Sequence, residues 1–393
     1  MTDVSKTVSK TSGRDGSTVR VAIDVGPLHG ARTGIGNGVA WTVDALGARG
    51  DVDLAPYVTS LRAKVSAPTR RLPLPAAAAL RLWARRSAPS MDRWLGDVDV
   101  VHGTNYVVPP SSRPRLVSVY DCWFLDHPED AVADVRLAAE VLRRNIADGA
   151  SVVTSSDATS LRVRELLGTD RVTTVLLGPP STDAPAAALD GSATVPAATA
   201  SPVGLPDLGG QPFILSLGTI ERRKNVPALV AAFGRLASEH ETVRLVVAGA
   251  VGNDLDAVSR AIQRLSPTVA ERVVRTGPVD SATKSWLLRH ARALAYPSLD
   301  EGFGFPILEA QQVGTPVVAS TAGSIPQVAG SAALLSPPRD TEALAANLYW
   351  ILTSDEMHAK LVRRGRANVA RFSWDDTADA LAAVYRRLTE THD

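Results

Sequence analysis

Residues 296–320 read YPSLDEGFGFPILEAQQVGTPVVAS, and the fold can be read outward from them. The stretch opens at the end of one strand-like run, residues 292–297, and closes on another, residues 315–320. Between the two, Gly302 and Gly304 let the backbone turn sharply. Pro306 suits the first turn of a helix, and Glu309 is expected within that turn. Strands separated by helices imply a parallel sheet covered on both faces.

The alternation continues on either side. Residues 213–219, 244–249, 272–277 and 332–336 are strand-like, which predicts an open α/β domain over 213–371. Upstream, residues 19–25 (VRVAIDV), 97–102, 115–121, 151–155 and 172–177 predict a second such domain over 19–180, with a helical stretch over 34–46. Residues 181–212 are rich in Ala and Pro, with almost nothing large and apolar to bury, and read as a linker. After Thr341 a long helical region runs to about Arg371, then Phe372-Ser373-Trp374 precedes an amphipathic helix over 375–388. Ser373 and Asp375 are plausible caps at that break. Residues 372–393 are expected to return to the first domain as a C-terminal helix. The expected fold is α/β, two Rossmann-like doubly wound parallel-sheet domains facing a central cleft. Ligands of such sheets bind at the carboxyl ends of the strands.

Bulk properties narrow the function. At 393 residues and 45% hydrophobic content the chain exceeds one ordinary core. With 42 basic and 41 acidic side chains, nothing in the net charge calls for nucleic acid. A single cysteine, Cys122, excludes an internal disulfide framework and suits a reducing compartment. Residues 1–18 are a polar tail lacking the apolar run of a secretory signal, and no apolar run is long enough to span a bilayer. A cytoplasmic address is expected, with at most peripheral contact at the inner membrane face.

Three clusters could carry chemistry. The helix start after Gly304 offers exposed N–H groups and a positive dipole end, a ready phosphate site, and Glu301 and Glu309 beside it can accept hydrogen bonds from sugar and ribose hydroxyls. Residues 218–225 (GTIERRKN) bring Arg222, Arg223 and Lys224 to a strand's carboxyl end, before a helix that Asn225 could cap. Such cations can neutralise a departing diphosphate. The loop over 26–38 places Gly34 and Gly36 at a helix start, eight residues beyond the strand, which is too far for a dinucleotide fingerprint and better suited to close approach by a ligand. His102 and Asp121 end strand patterns and should point to the crevice, although a structural role suits His102 equally. The pair Asp97 and Asp99 has metal-binding spacing but recurs elsewhere in the chain and reads as coincidence. Residues 64–94 interleave cations with Trp83 and Trp94, a pattern shared by an anionic membrane surface and a solvated helix face.

These pieces, in this order, resemble the retaining glycosyltransferases of family 4, which have the GT-B fold, and particularly their bacterial mannosyltransferase-like members. The resemblance rests on ARTGIGNGV (31–39), DVVHGTNYVVPP (99–110), YDCWFLDHPE (120–129), LGTIERRKN (217–225), the stretch over 296–320 and FSW (372–374). It implies that Arg223 and Lys224 hold a donor diphosphate, Glu301 the transferred sugar and Glu309 the nucleotide ribose. Gly34, Gly36, Thr219, Gly302, Phe303, Gly304, Ile307 and Leu308 fall in the donor motifs. Asp121 lies in the motif facing sugar and acceptor, with His102, Asn105 and Tyr120 as acceptor candidates. Glu301, Asp121, Arg223 and Lys224 are the implied catalytic set, with no metal and no cofactor, the nucleotide-sugar being a co-substrate. Tyr120 stands where many relatives have His, Thr219 where some have Arg, and Gln327 where Glu is frequent. The implied reaction moves a hexose, mannose from GDP-mannose first, to a glycan or lipid-linked sugar acceptor. Glucosyl or rhamnosyl transfer from UDP or dTDP donors is the nearest alternative. A nucleotide-sugar epimerase or hydrolase, or a non-catalytic sugar-nucleotide-binding subunit, would use the same kind of cleft.

Overall fold

The computed structural model describes residues 18–29, 34–181, 205, 208 and 210–391. The tail expected over 1–18 lies outside them except for its last residue. Most of the expected linker and residues 30–33 of the glycine-rich loop are outside as well. The chain divides into two compact units, Met1–Gly178 with Phe372–Asp393, and Pro179–Arg371.

The first unit is built on seven strands: β1 Val19–Asp24, β2 Val52–Val58, β3 Arg70–Arg71, β4 Val100–Gly103, β5 Arg115–Val119, β6 Ser151–Thr154 and β7 Val172–Thr174. Their order is β3-β2-β1-β4-β5-β6-β7, every pairing parallel. The second unit has six: β8 Phe213–Leu217, β9 Arg244–Ala248, β10 Val273–Gly277, β11 Ala293–Tyr296, β12 Val317–Ser320 and β13 Ala333–Ser336. Their order is β10-β9-β8-β11-β12-β13, again all parallel. Both expected parallel sheets are therefore present. In each, the order reverses once, between β1 and β4 and between β8 and β11, and the diverging crossovers leave a crevice at the carboxyl ends of that strand pair.

β2 is not among the strands expected from sequence, and Pro56 lies inside it although proline is usually confined to sheet edges, strand starts and bulges. The Tyr57 carbonyl accepts from Val25 N at 2.9 Å on the β1 side, and the Val58 carbonyl from Leu72 N at 3.0 Å on the β3 side. Alternation aims the Pro56 nitrogen away from β1, where β3 has not yet begun. No ladder bond is lost there.

The helical region after Thr341 is two helices, Thr341–Thr353 and Asp355–Val369, divided at Ser354, whose side chain caps the second by accepting from Met357 N. The final helix is Trp374–Glu390. Ser373 is its cap, accepting from the Asp375 and Asp376 amides, so Asp375 lies inside the first turn rather than capping it. Its apolar face, with Leu381, Val384 and Tyr385, is buried against Val21, Ile23, Val39 and Val100 of the first unit. Gly178 allows the entry, since a Cβ there would lie 2.4 Å from the Trp374 ring. No helix among the described residues is long and apolar enough to cross a membrane.

Candidate active site

The second unit gathers its cations at the reversal point of the sheet. β8 ends at Leu217, and a 3-10 turn over Arg222–Lys224 follows. Asn225 then takes a left-handed backbone, φ 55°, before the helix Val226–Leu236. It occupies the cap position without capping. Its side-chain amide instead donates to the Pro297 and Pro338 carbonyls, at 3.1 and 2.8 Å, and so ties the cationic turn to the segment after β11. The Leu299 amide donates to the Arg223 carbonyl at 2.7 Å, a second tie.

Arg223 and Lys224 converge on one carboxylate. Arg223 Nη1 lies 2.7 Å from Glu301 Oε2 and donates to the Asp300 carbonyl, while Lys224 Nζ lies 2.5 Å from Glu301 Oε1 and donates to the Tyr296 hydroxyl at 2.8 Å. Glu301 is 5% exposed. Burial alone would raise its pKa, but the charges of Arg223 and Lys224 overcome this and hold it at about 2. It is ionised at any working pH. The stability this adds is present above pH 4.5 and is lost only as pH falls from there towards 2. Burial lowers the Lys224 pKa, an effect that the Glu301 charge opposes. Arg222, by contrast, is exposed.

The loop 297–304 leads into the helix Phe305–Val313, whose cap, Gly304, has φ 99°. Glu309 is not in the first turn, as the sequence suggested, but one turn further in. There it is 8% exposed and its Oε1 accepts from Lys284 Nζ at 2.7 Å. Burial raises the Tyr296 phenol well above its usual pKa, with both Glu301 and Glu309 adding to the effect. Gly302, Phe303, Ile307 and Leu308 are buried, and the Ile307 side chain packs against Gly304, where a Cβ would lie 3.3 Å from Ile307 Cδ1. Thr219 is half-buried beside Gly218.

Four supports of this cluster are not among the residues expected from sequence. Ser324 N donates to the Glu301 carbonyl at 2.9 Å and Ser324 Oγ to the Phe303 carbonyl at 2.8 Å. Gly323 has φ 52°, and a Cβ there would lie 2.5 Å from the Glu301 carbonyl oxygen. Lys284 comes from the helix Ser281–His290, 25 residues from Glu309 in sequence. Tyr296 could have been found as the last residue of a strand.

In the first unit the predicted residues separate. His102 is 1% exposed, with Nδ1 2.8 Å from the Tyr385 hydroxyl and Nε2 2.8 Å from Ser118 Oγ. Both ring nitrogens are engaged inside the core, so His102 is a structural tie between β4 and the last helix and not an acceptor contact. Burial lowers its pKa to about 3. The unfolded chain takes up the proton first, so stability should fall as pH drops from 6.5 towards 3, by about 2 kcal/mol at pH 5. Urea unfolding of wild type and His102→Gln at pH 7.5 and 5 checks this. An equal acid response in the two proteins contradicts the assignment.

Tyr120 is half-buried, and burial pushes its phenol up to about 12, so it stays neutral at any working pH. Asp121 Oδ1 accepts from Trp123 N at 3.2 Å, and Oδ2 from the Tyr106 hydroxyl at 3.4 Å. Tyr106 itself has φ 61°, a strained backbone for a bulky side chain, costing roughly 1–2 kcal/mol. Asn105 is half-buried, and its Oδ1 is enclosed without a hydrogen-bond partner among the described residues. Gly34 and Gly36 open the helix Gly34–Gly47. Among the described residues, a Cβ at Gly34 would meet nothing within 4 Å. Asp97 and Asp99 lie at the amino end of β4, where Asp99 accepts from Arg20 N at 2.8 Å. That end is remote from the crevice. Along residues 64–94, Lys64, Arg81, Arg85, Arg86, Arg93 and Trp94 are exposed, while Arg71 donates to the Ser60 and Ala63 carbonyls.

Residues 204–368, most of the second unit, match the family model described as glycosyl transferases group 1. The chain is 29% identical over 294 residues to O-antigen chain mannosyltransferase B of Escherichia coli, covering 74% of each. It is 35% identical over 183 residues to D-inositol 3-phosphate glycosyltransferase of Xylanimonas cellulosilytica, covering 46% of this chain and 43% of that one. This chain is a glycosyltransferase. Among solved structures, sucrose-phosphate synthase from Thermosynechococcus elongatus superimposes with a TM-score of 0.68 at 18% identity, covering 95% of this chain and all of that one. The enzyme's fold is that of the GT-B glycosyltransferases, with Rossmann-like parallel sheets in both units.

Proposed function

We propose that this enzyme transfers a hexosyl group from a nucleoside-diphosphate sugar to a hydroxyl of a glycan or lipid-linked sugar, with retention, and that the first donor to consider is GDP-mannose. The observation that carries the proposal is the closure of Arg223 and Lys224 on Glu301 beside the helix start at Gly304. Two cations and one carboxylate leave the cluster with one positive charge, and the helix terminus adds roughly half a charge. A departing diphosphate therefore meets a preorganised positive site, and leaving-group stabilisation of this kind is worth about 10²–10³ in rate.

Glu301, held at about 2, is too weak a base to take a proton from a hydroxyl. This supports same-face attack in which the leaving diphosphate helps to deprotonate the acceptor, with the protein supplying position and charge. Glu309, with Oε1 committed to Lys284, keeps Oε2 to accept from a ribose diol. Gly34 and Gly36, at the helix start of the first unit, are assigned to donor binding. Mannose is preferred because the E. coli relative that aligns over most of the chain is a mannosyltransferase by name.

Thermal-shift measurement against GDP-, UDP-, dTDP- and ADP-sugars tests the donor. A ligand at a hundred times its Kd stabilises the native state by about 2.7 kcal/mol, so GDP-mannose should raise Tm more than the other donors. Incubating the selected donor with and without hydroxyl acceptors tests the reaction. Epimerised donor or free sugar with no glycoside formed would sink the transfer reading.

A further inference from the structure

Tyr296 closes β11, a central strand of the second sheet that pairs with β8 on one side and β12 on the other. It is 3% exposed, and its ring lies under the helix start, since a Cβ on Gly304 would be 3.8 Å from Tyr296 Cε1. The next residue, Pro297, gives its carbonyl to the Asn225 side chain at 3.1 Å, so the strand end and the cationic turn are held to each other. A buried hydroxyl is costly unless it is hydrogen-bonded, and phenylalanine would fill nearly the same space. The Tyr296 oxygen accepts from Lys224 Nζ at 2.8 Å, and Nζ lies 4.7 Å from the ring centroid. Burial first, then the Glu301 charge and a hydrogen bond to Glu301, keep the phenol protonated. It therefore meets the ammonium as a neutral acceptor and turns its own proton to the carboxylate.

A lysine is a point charge on a flexible stem, with three donors that rotate together about the last bond. Glu301 alone would leave that rotation open. With one N–H committed to Glu301 Oε1 at 2.5 Å and another to the Tyr296 oxygen, it stops. Tetrahedral geometry then gives the third N–H a single direction. The stem is confined as well, because a Cβ at Gly218, φ 137°, would lie 3.5 Å from Lys224 Cε. The second anchor also stands on a strand, whereas Glu301 stands on the loop 297–304, and strands hold a group more precisely than loops do.

We propose that Tyr296 is a positioning residue of the donor site, its hydroxyl fixing the Lys224 ammonium so that the third N–H meets the terminal phosphate of a nucleoside diphosphate. This rests on the transfer reading above. A nucleoside monophosphate lacks that outer phosphate, so the phenol should govern how well the enzyme tells the two apart.

Isothermal titration calorimetry of the full chain tests this with GDP, UDP, dTDP and ADP and the four matching monophosphates. The tightest diphosphate sets the pair to follow. Tyr296→Phe keeps the ring and removes the oxygen. Its preference for diphosphate over monophosphate should fall about tenfold, the scale of one hydrogen bond to a charged group, with the monophosphate Kd within twofold of wild type. Its kcat should fall about tenfold while acceptor KM stays the same. Tyr296→Leu, which removes ring and oxygen together, should lose at least as much of the preference. A preference within twofold of wild type in Tyr296→Phe overturns the assignment. Equal weakening of both nucleotides also overturns it, as the mark of a merely structural role. If the wild-type enzyme binds no diphosphate more tightly than its monophosphate, the donor reading itself fails, whereas a wild-type preference that survives Tyr296→Phe removes Tyr296 alone.

Discussion

Glu301→Ala is expected to lower kcat by at least a hundredfold and to destabilise the second unit by about 3–5 kcal/mol. Both effects have one cause. Glu301 neutralises Arg223 and Lys224 at 2.7 and 2.5 Å in a buried setting, with side-chain exposures of 6%, 16% and 15%. Removing the carboxylate leaves two cations facing each other out of water, the costly way to break a buried pair. They then repel and lose the geometry with which they meet a diphosphate. Lys224→Ala should also nearly abolish transfer, but with a smaller stability loss, since Arg223 still neutralises Glu301. Steady-state kinetics and urea unfolding measure the two consequences separately. Wild-type kinetics in Glu301→Ala would remove that residue from the site, and wild-type stability would mean the ion pairs are too well solvated to matter.

Gly323→Ala should be nearly as damaging, although it adds a single methyl group. The new Cβ would lie 2.5 Å from both Asp300 Oδ1 and the Glu301 carbonyl oxygen, and 2.7 Å from Glu301 N. Two of those three atoms are backbone and cannot rotate away. A close-packed interior then moves the Asp300–Glu301 peptide itself, and a displacement of about 1 Å in positioned groups costs on the order of a hundredfold. Overpacking adds about 1–3 kcal/mol of destabilisation, and the left-handed backbone at φ 52° adds strain for alanine. The expected result is a folded protein, by circular dichroism, with kcat/KM reduced about a hundredfold. A variant with unchanged kcat/KM would show that the loop carrying Glu301 yields without moving the carboxylate.

How much of the site was legible in the chain depends on how far apart its partners lie. Glu301, Arg223 and Lys224 could be singled out because each falls in a compact local pattern, a strand end followed by a glycine-rich or cationic turn. That they share one carboxylate could not be read, because 77 residues separate Lys224 from Glu301. The same distance problem hid Lys284 beside Glu309 and Ser324 beneath the 301–303 backbone. Asn225 looked like a cap because asparagine before a helix usually is one, but its amide found two carbonyls from elsewhere in the unit. His102 sits at a strand end, as predicted, yet its side chain turns inward to Tyr385, 283 residues away.

The sequence by itself determined the alternation of strands and helices, and hence two parallel sheets, since hydrophobic period and turn chemistry are local properties of the chain. It also marked the strand ends where ligands of such sheets bind. Tertiary structure alone decided that β2 tolerates Pro56, because this depends on which edge of the strand is covered. It likewise decided that the last helix completes the first unit's core, that Tyr106 is strained toward Asp121, and that Gly323 must lack a side chain. Each of these depends on distances between residues far apart in the chain, and no local pattern encodes such distances.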